Sequence, residues 1–267
     1  MSQQNISNKY YLEPHKAICK VLQNIKFNYR FNNEHKDYWK TLKDKYKGNR
    51  GFIIGNGPSL ISSDLDKIKD EISIASNKIS LIFGETSWRP NFFTVADPLV
   101  WKKISNNIHD DIDIVHIPTT LSGDSNKKTI YWKHGLSSPF GRFSKNAERK
   151  LYGGQTITFQ NIQIAAHLGL NPIYLIGCDH FYAGEKNVIA NQAIIQGSEQ
   201  THFSKEYRSA GEIVMSAPIH EMNFSFNQAR KFLRKENIQI YNATRGGHLE
   251  IFERVDLDKV ILNELTY

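Results

Sequence analysis

Gly55-Asn56-Gly57-Pro58-Ser59 ends a short apolar run, Phe52 to Ile54, and precedes a polar, cap-like Ser62-Ser63-Asp64. A buried strand that runs into a glycine turn and then a helix start is how α/β proteins bring a loop to a phosphate. The glycines permit a sharp turn and close approach to a ligand. Pro58 stiffens the loop, and Asn56 and Ser59 add short polar groups that suit a nucleotide. The third glycine of GxGxxG and the Gly-Lys-Ser/Thr of a P-loop are both missing. That disfavours NAD and ordinary P-loop ATP binding, while the Asn56–Ser59 pair points to a pyrimidine nucleotide. The plain alternative is an ordinary strand-turn-helix junction.

Other polar residues fall where apolar runs stop: Asn77, Asp97, Gly177 with Asp179, Tyr182 and Asn242. The set is rich in amides, hydroxyls and carboxylates and poor in nucleophiles, which suits cradling a nucleotide better than covalent catalysis. No Gly-x-Ser-x-Gly elbow occurs. His202 and His220 are the candidates for a general base, a role that suits a group titrating near neutrality. A structural reading exists for each: Asp179 as a cap on loop amides, the histidines as surface or capping groups. Metal binding is weakly signalled, with no His-Glu-x-x-His and no Cys-x-x-Cys. Asp-x-Asp occurs three times, at Asp64, Asp111 and Asp256, and reads as solvated carboxylates.

The elements that must hold these residues alternate from Gly51 onward. Strands are expected at 51–54, 71–75, 92–96, 113–117, 173–176 and 238–241. Helices are expected at 64–69, after Gly153-Gly154-Gln155-Thr156 as far as Gly169, and at 221–235. Residues 119–150 show little periodicity and are expected to form irregular structure over the sheet edge. Residues 183–218 form a long polar, lid-like segment. This alternation predicts an α/β fold, a mostly parallel sheet with helices on both faces. In such sheets a ligand sits at the carboxyl ends of the strands.

Residues 1–48 read as a basic, amphipathic helical extension, with helices at 16–25 and 34–47, ahead of a catalytic domain over 49–267. Tyr38, Trp39, Leu42 and Tyr46 share one face of the second helix, opposite lysines. That face either packs on the main body or attaches to an anionic membrane surface or a membrane-bound assembly. Residues 1–50 hold 11 Lys/Arg and 4 Asp/Glu, while the remaining 217 residues hold 23 of each. The domain body is therefore electrically balanced, which argues against nucleic acid as a partner. Two cysteines, Cys19 and Cys178, fit a reducing compartment. No run of eighteen apolar residues occurs and the N-terminus lacks the layout of a signal peptide, so a cytoplasmic protein is expected, with the inner face of the membrane as the variant.

Gly55-Asn56-Gly57-Pro58-Ser59-Leu60, Ser76-Asn77 and Ile173-Tyr174-Leu175-Ile176-Gly177-Cys178-Asp179 together resemble two related groups over about residues 51–245. One is the bacterial sialyltransferases built on a single Rossmann-like, GT-A-like domain. The other is the MptE-like group, named for a 6-hydroxymethylpterin diphosphokinase and frequent in surface-glycan loci. The resemblance implies that the Gly55–Ser59 loop, through Asn56, Gly57 and Ser59, binds the CMP part of a donor, with Asn77 beside it. It implies that Tyr182 stabilises the departing phosphate and that His220 deprotonates an acceptor hydroxyl, ahead of a helix and Tyr241. Thr156 matches a site threonine that the sialyltransferases precede, two residues earlier, with an arginine. Here Gly154 stands at that place, in a Tyr-Gly-Gly-Gln-Thr run closer to the MptE-like pattern, and His180 is an extra residue between Asp179 and Phe181.

Three functions follow from the resemblance. The first is inverting transfer of a sugar from a CMP-linked, sialic-acid-like donor to a hydroxyl of a bacterial surface glycan. It requires no cofactor, and its partners are the nucleotide-sugar donor and the glycan acceptor. The second is transfer of pyrophosphate from ATP to a pterin-like alcohol, which needs Mg²⁺. The third is a non-catalytic nucleotide-binding scaffold docked through residues 1–48 to a glycan-assembly complex. Self-association is left open.

Overall fold

Phe52, Ile53 and Ile54 are each within about one per cent of complete burial, because both faces of their strand are covered. The computed structural model describes residues 31–121, 125–135, 142–182, 193–195 and 200–263, together with Leu22, Ile25 and Tyr29. In chain order the elements are α1 (Asn33–Leu42), β1 (Gly51–Ile54), α2 (Ser62–Lys67), β2 (Ile72–Ser76), β3 (Phe92–Thr94), α3 (Pro98–Ile104), β4 (Ile114–Pro118) and β5 (Lys128–Trp132). The short β6 (His134–Gly135) and β7 (Leu151–Tyr152) precede α4 (Ile157–Leu168) and β8 (Ile173–Ile176). Then come β9 (Ala193–Ile195), β10 (Ile213–Met215), α5 (Ile219–Lys235), β11 (Ile240–Asn242), β12 (Glu253–Arg254) and α6 (Leu257–Ile261).

Eight strands form one sheet in the order β12-β11-β8-β1-β2-β3-β4-β5, and every neighbouring pair is parallel. This is the Rossmann-like α/β architecture expected from the strand-helix alternation. The chain builds outward from β1 to β5 on one side, then returns to lay β8, β11 and β12 on the other. The order thus reverses between β1 and β8, and a crevice opens at such a reversal, at the carboxyl ends of the strands. Alternate side chains serve opposite cores. Ile53, Ile74 and Leu175 pack under α4 and α1, while Phe52, Ile54, Tyr174 and Ile176 face the other layer.

Helix α4 is buried almost all round, including its polar Gln160, Asn161, Gln163 and His167. Thr156 caps its start, its hydroxyl accepting from Thr158 N, and Gly169 ends it in the left-handed conformation (φ 81°). Helix α1 packs as part of the body. Trp39 is fully buried and its Nε1 donates to Tyr131 O at 2.8 Å. His116 Nδ1 donates to Phe93 O (3.0 Å), so its Nε2 accepts from the Tyr38 hydroxyl (2.8 Å). The aromatic face of this helix is therefore spent on the core. The helix expected over 16–25 lies mostly outside the described residues.

Two expectations are corrected. Residues 128–132 form the edge strand β5, inside the stretch expected to be irregular; only Ile130 and Trp132 of it are buried, too few to give a readable period. Part of the long polar segment is ordered as an antiparallel hairpin of β9 with β10, while residues 183–192 and 196–199 lie outside the described set. Among the described residues, no helix is long and apolar enough to cross a membrane.

Candidate active site

A cavity of about 300 Å³ opens at the order reversal, at the carboxyl ends of β1, β2 and β8. Gly55, Asn56 and Gly57 of the Gly55–Ser59 loop form one wall, but not as a backbone cradle for phosphate. Gly55 N donates to Ile176 O and Gly57 N to Gly177 O, both at 2.8 Å. Ser59 Oγ donates to Asp179 Oδ2 at 2.8 Å, and Ser59 N donates to the same carboxylate at 3.3 Å. The loop's main-chain donors are thus largely committed to the chain that follows β8. A Cβ at Gly57 would stand 1.8 Å from Asp179 Oδ2. The glycine is needed for close approach of protein to protein, where the sequence suggested protein to ligand.

The other side of Asp179 is held by the turn after β11. His248 N donates to Asp179 O (2.6 Å), and Gly247, at φ 75°, allows no side chain there because its Cβ would lie 2.3 Å from that carbonyl. Arg254 fixes the turn in its place by donating to the carbonyls of Thr244, Gly246 and Gly247.

Of the residues singled out from the sequence, Gly55, Asn56, Gly57, Asn77, Asp97, Thr156, Gly177, Asp179, Tyr182 and His202 line the cavity. Pro58 and Ser59 do not: Pro58 is exposed and Ser59 is turned to Asp179. His220 does not either, being exposed on the first turn of α5. Asn242 is fully buried beneath the site, its Nδ2 donating to Leu249 O.

Asn56 Nδ2 donates to Ser76 O (3.2 Å), which leaves its Oδ1 buried without a partner. Asn77, in the left-handed region (φ 60°), also carries a buried Oδ1 with no partner. Two unfilled acceptors on adjacent strand ends suit a ligand that presents N–H or O–H groups. Asp97 caps α3, its Oδ1 accepting from Leu99 N (2.7 Å) and Val100 N (3.2 Å). Buried Cys178 has its thiol pushed up to about 12, by burial first and then by the Asp179 charge. It is a packing group, not a nucleophile.

The remaining wall comes from segments without readable periodicity. Phe203 N donates to Asn56 O (3.1 Å), which docks residues 201–208 over the loop. There His202 stacks on Tyr207 with centroids 3.8 Å apart, and its Nδ1 meets Thr201 Oγ1 at 2.8 Å. Burial, and then the Arg208 and Lys78 charges, hold His202 well below its ordinary value. Burial pushes Tyr207 up to about 12. His134 lines the opposite side, also lowered by burial, with Nδ1 unpartnered. Sequence reasoning missed Arg208, Tyr207, His134 and the buried Gln160, and gave His180 no role, though all five line the cavity. Their local sequence carries no signal, because tertiary packing alone brings them there.

No functionally curated protein matches this chain. Among solved structures, the MAf glycosyltransferase from Magnetospirillum magneticum AMB-1 is similar to it at 17% identity and a TM-score of 0.46, over 85% of this chain. The match spans 38% of that longer protein. The family model described as 6-hydroxymethylpterin diphosphokinase MptE-like matches residues 20–185, which takes in β1 to β8 and the loop that locks them together, and the chain belongs to that MptE-like family.

Proposed function

We propose that this protein is a glycosyltransferase. It moves a sugar from a nucleotide-activated donor, CMP-linked and sialic-acid-like, to a hydroxyl of a bacterial surface glycan, with inversion, at the cytoplasmic side of the membrane. The observation that carries this reading is the chemistry of the cavity wall. Amides, hydroxyls and imidazoles dominate it, with Arg208 as the Lys/Arg side chain among the described lining residues. Both of its carboxylates are engaged in holding the protein together: Asp97 by the start of α3, Asp179 by Ser59. Such a wall suits a donor whose leaving group is already activated, with Arg208 and Tyr182 beside the departing phosphate and Asn56 and Asn77 accepting from the nucleoside.

The family's description favours a second reading, transfer of pyrophosphate from ATP to a pterin-like alcohol. That chemistry needs Mg²⁺ on oxygen ligands. The cavity offers Asp97 and Asp179 for it: Asp179 already accepts from Ser59 through both oxygens, and Asp97 accepts from the start of α3 through Oδ1. Thermal unfolding with CMP, UMP, ATP and their sugar conjugates, with and without Mg²⁺ or EDTA, separates the two. Stabilisation by CMP that survives EDTA is expected; stabilisation by ATP alone, and only with Mg²⁺, would replace the first reading with the second.

A further inference from the structure

We propose that His180 is the group that takes the acceptor's proton, oriented for that role by Asn223; this rests on the glycosyl-transfer reading. Three independent observations meet at the residue. His180 lies at the carboxyl end of β8, the strand beside the order reversal, and lines the cavity. Its backbone is left-handed (φ 55°), a conformation uncommon outside glycine that turns the ring out of the β8 direction at the site. Its ring is held by three neighbours. Nε2 lies 2.8 Å from Asn223 Oδ1 on α5, while Tyr182 and Phe226 pack edge-on at 6.2 and 5.7 Å between centroids.

The bond to Asn223 fixes the tautomer. An amide oxygen can only accept, so Nε2 carries the proton and Nδ1 keeps its lone pair. Among the described residues nothing donates to or accepts from that Nδ1. This is the relation of a base to its orienting group, with the imidazole held at one nitrogen by Asn223 of α5 and the other nitrogen left to accept a proton. The other histidines lack one part of it. His202 is also held at one nitrogen, by Thr201, but it faces Lys78 and Arg208, whose charges oppose uptake of a proton, where His180 faces the imidazole of His248. The unpartnered Nδ1 of His134 is itself buried. His220 is exposed and off the lining.

In the step that follows, the acceptor O–H gives its proton to His180 Nδ1 and its oxygen bonds the anomeric carbon. The bond from that carbon to the phosphate oxygen breaks, and the electron pair leaves with the nucleoside monophosphate. Water can stand in for the acceptor, so donor hydrolysis reads the same base.

The test follows nucleotide release from CMP-N-acetylneuraminic acid, UDP-N-acetylglucosamine and GDP-mannose by the full chain. His180→Asn is the variant of choice because asparagine tolerates the left-handed backbone. Its kcat should fall by about 100-fold or more with KM within about threefold, the range for loss of a general base. Asn223→Ala leaves the imidazole in place and should lower kcat about tenfold with CMP affinity retained, a split that a merely structural role would not give. If His180→Asn does not fold, the Asn223→Ala result decides alone: unchanged kcat overturns the proposal. It is equally overturned if His180→Asn keeps its rate within threefold, or if His220→Asn alone abolishes it. Should the wild-type protein bind CMP but release nucleotide from none of the three donors, the glycosyl-transfer reading itself fails and this inference with it.

Discussion

At Gly57 a single hydrogen atom separates two loops, since the Cβ of any other residue would fall 1.8 Å from Asp179 Oδ2. Gly57→Ala is therefore expected to push the Gly55–Ser59 loop off the β8 end. The cost should be about 1–3 kcal/mol of unfolding free energy, the usual range for overpacking, with loss of CMP binding; urea unfolding and calorimetric titration measure the two. The sequence marked this glycine as part of a turn. It could not show the reason for the glycine, because the opposing carboxylate, Asp179, belongs to a distant part of the chain. The same holds for His180, visible as an extra residue, whose partner Asn223 comes from another element.

Among elements, legibility followed burial. Strands β1 and β8, covered on both faces, read as unbroken apolar runs, and α4 announced itself through Thr156 and Gly169. Strand β12 consists of two exposed charged residues and had nothing to read. The contact of α2 with the turn after β11 was equally silent. Arg245 donates to both oxygens of Asp64, a residue 1% exposed, at 2.6 and 2.7 Å, and reaches Asp258 on α6 at 3.1 Å. Arg245→Ala leaves that buried carboxylate with Lys67 at 3.7 Å as its remaining counter-charge. Loss of about 2 kcal/mol is expected, below the range for a fully buried pair because the arginine is over a third exposed. Differential scanning calorimetry would show it as a lowered Tm. A matching change at Lys67, on the solvent side, should move Tm much less.

Over the whole molecule, burial holds the imidazoles of His35, His116, His134, His167, His180 and His202 below their ordinary value. His116, wholly enclosed between Phe93 and Tyr38, falls to about 4. In the unfolded chain it titrates near 6.5. Between those values the unfolded state holds the proton and the folded state does not, so the stability is fully present above pH 6.5 and is lost as pH falls toward 4. For His116 alone the loss is on the order of 3 kcal/mol. Urea midpoints measured from pH 7 to pH 4.5 should fall steeply; a flat profile would contradict the neutral, buried state of these rings. The bonds that tie Gly55, Gly57 and Ser59 to the β8 end have a reach beyond stability. A site that grips its ligand through main-chain amides is fixed by the fold and cannot be edited one residue at a time. Here the amides of Gly55, Gly57 and Ser59 are already spent, so much of recognition falls to separate side chains carried on different segments. Each can be exchanged by a single codon change without refolding the loop. Ligand preference is therefore expected to shift by point mutation, and libraries at Asn56, Asn77, Gln160 and Arg208, read by nucleotide binding, are the places to look for it.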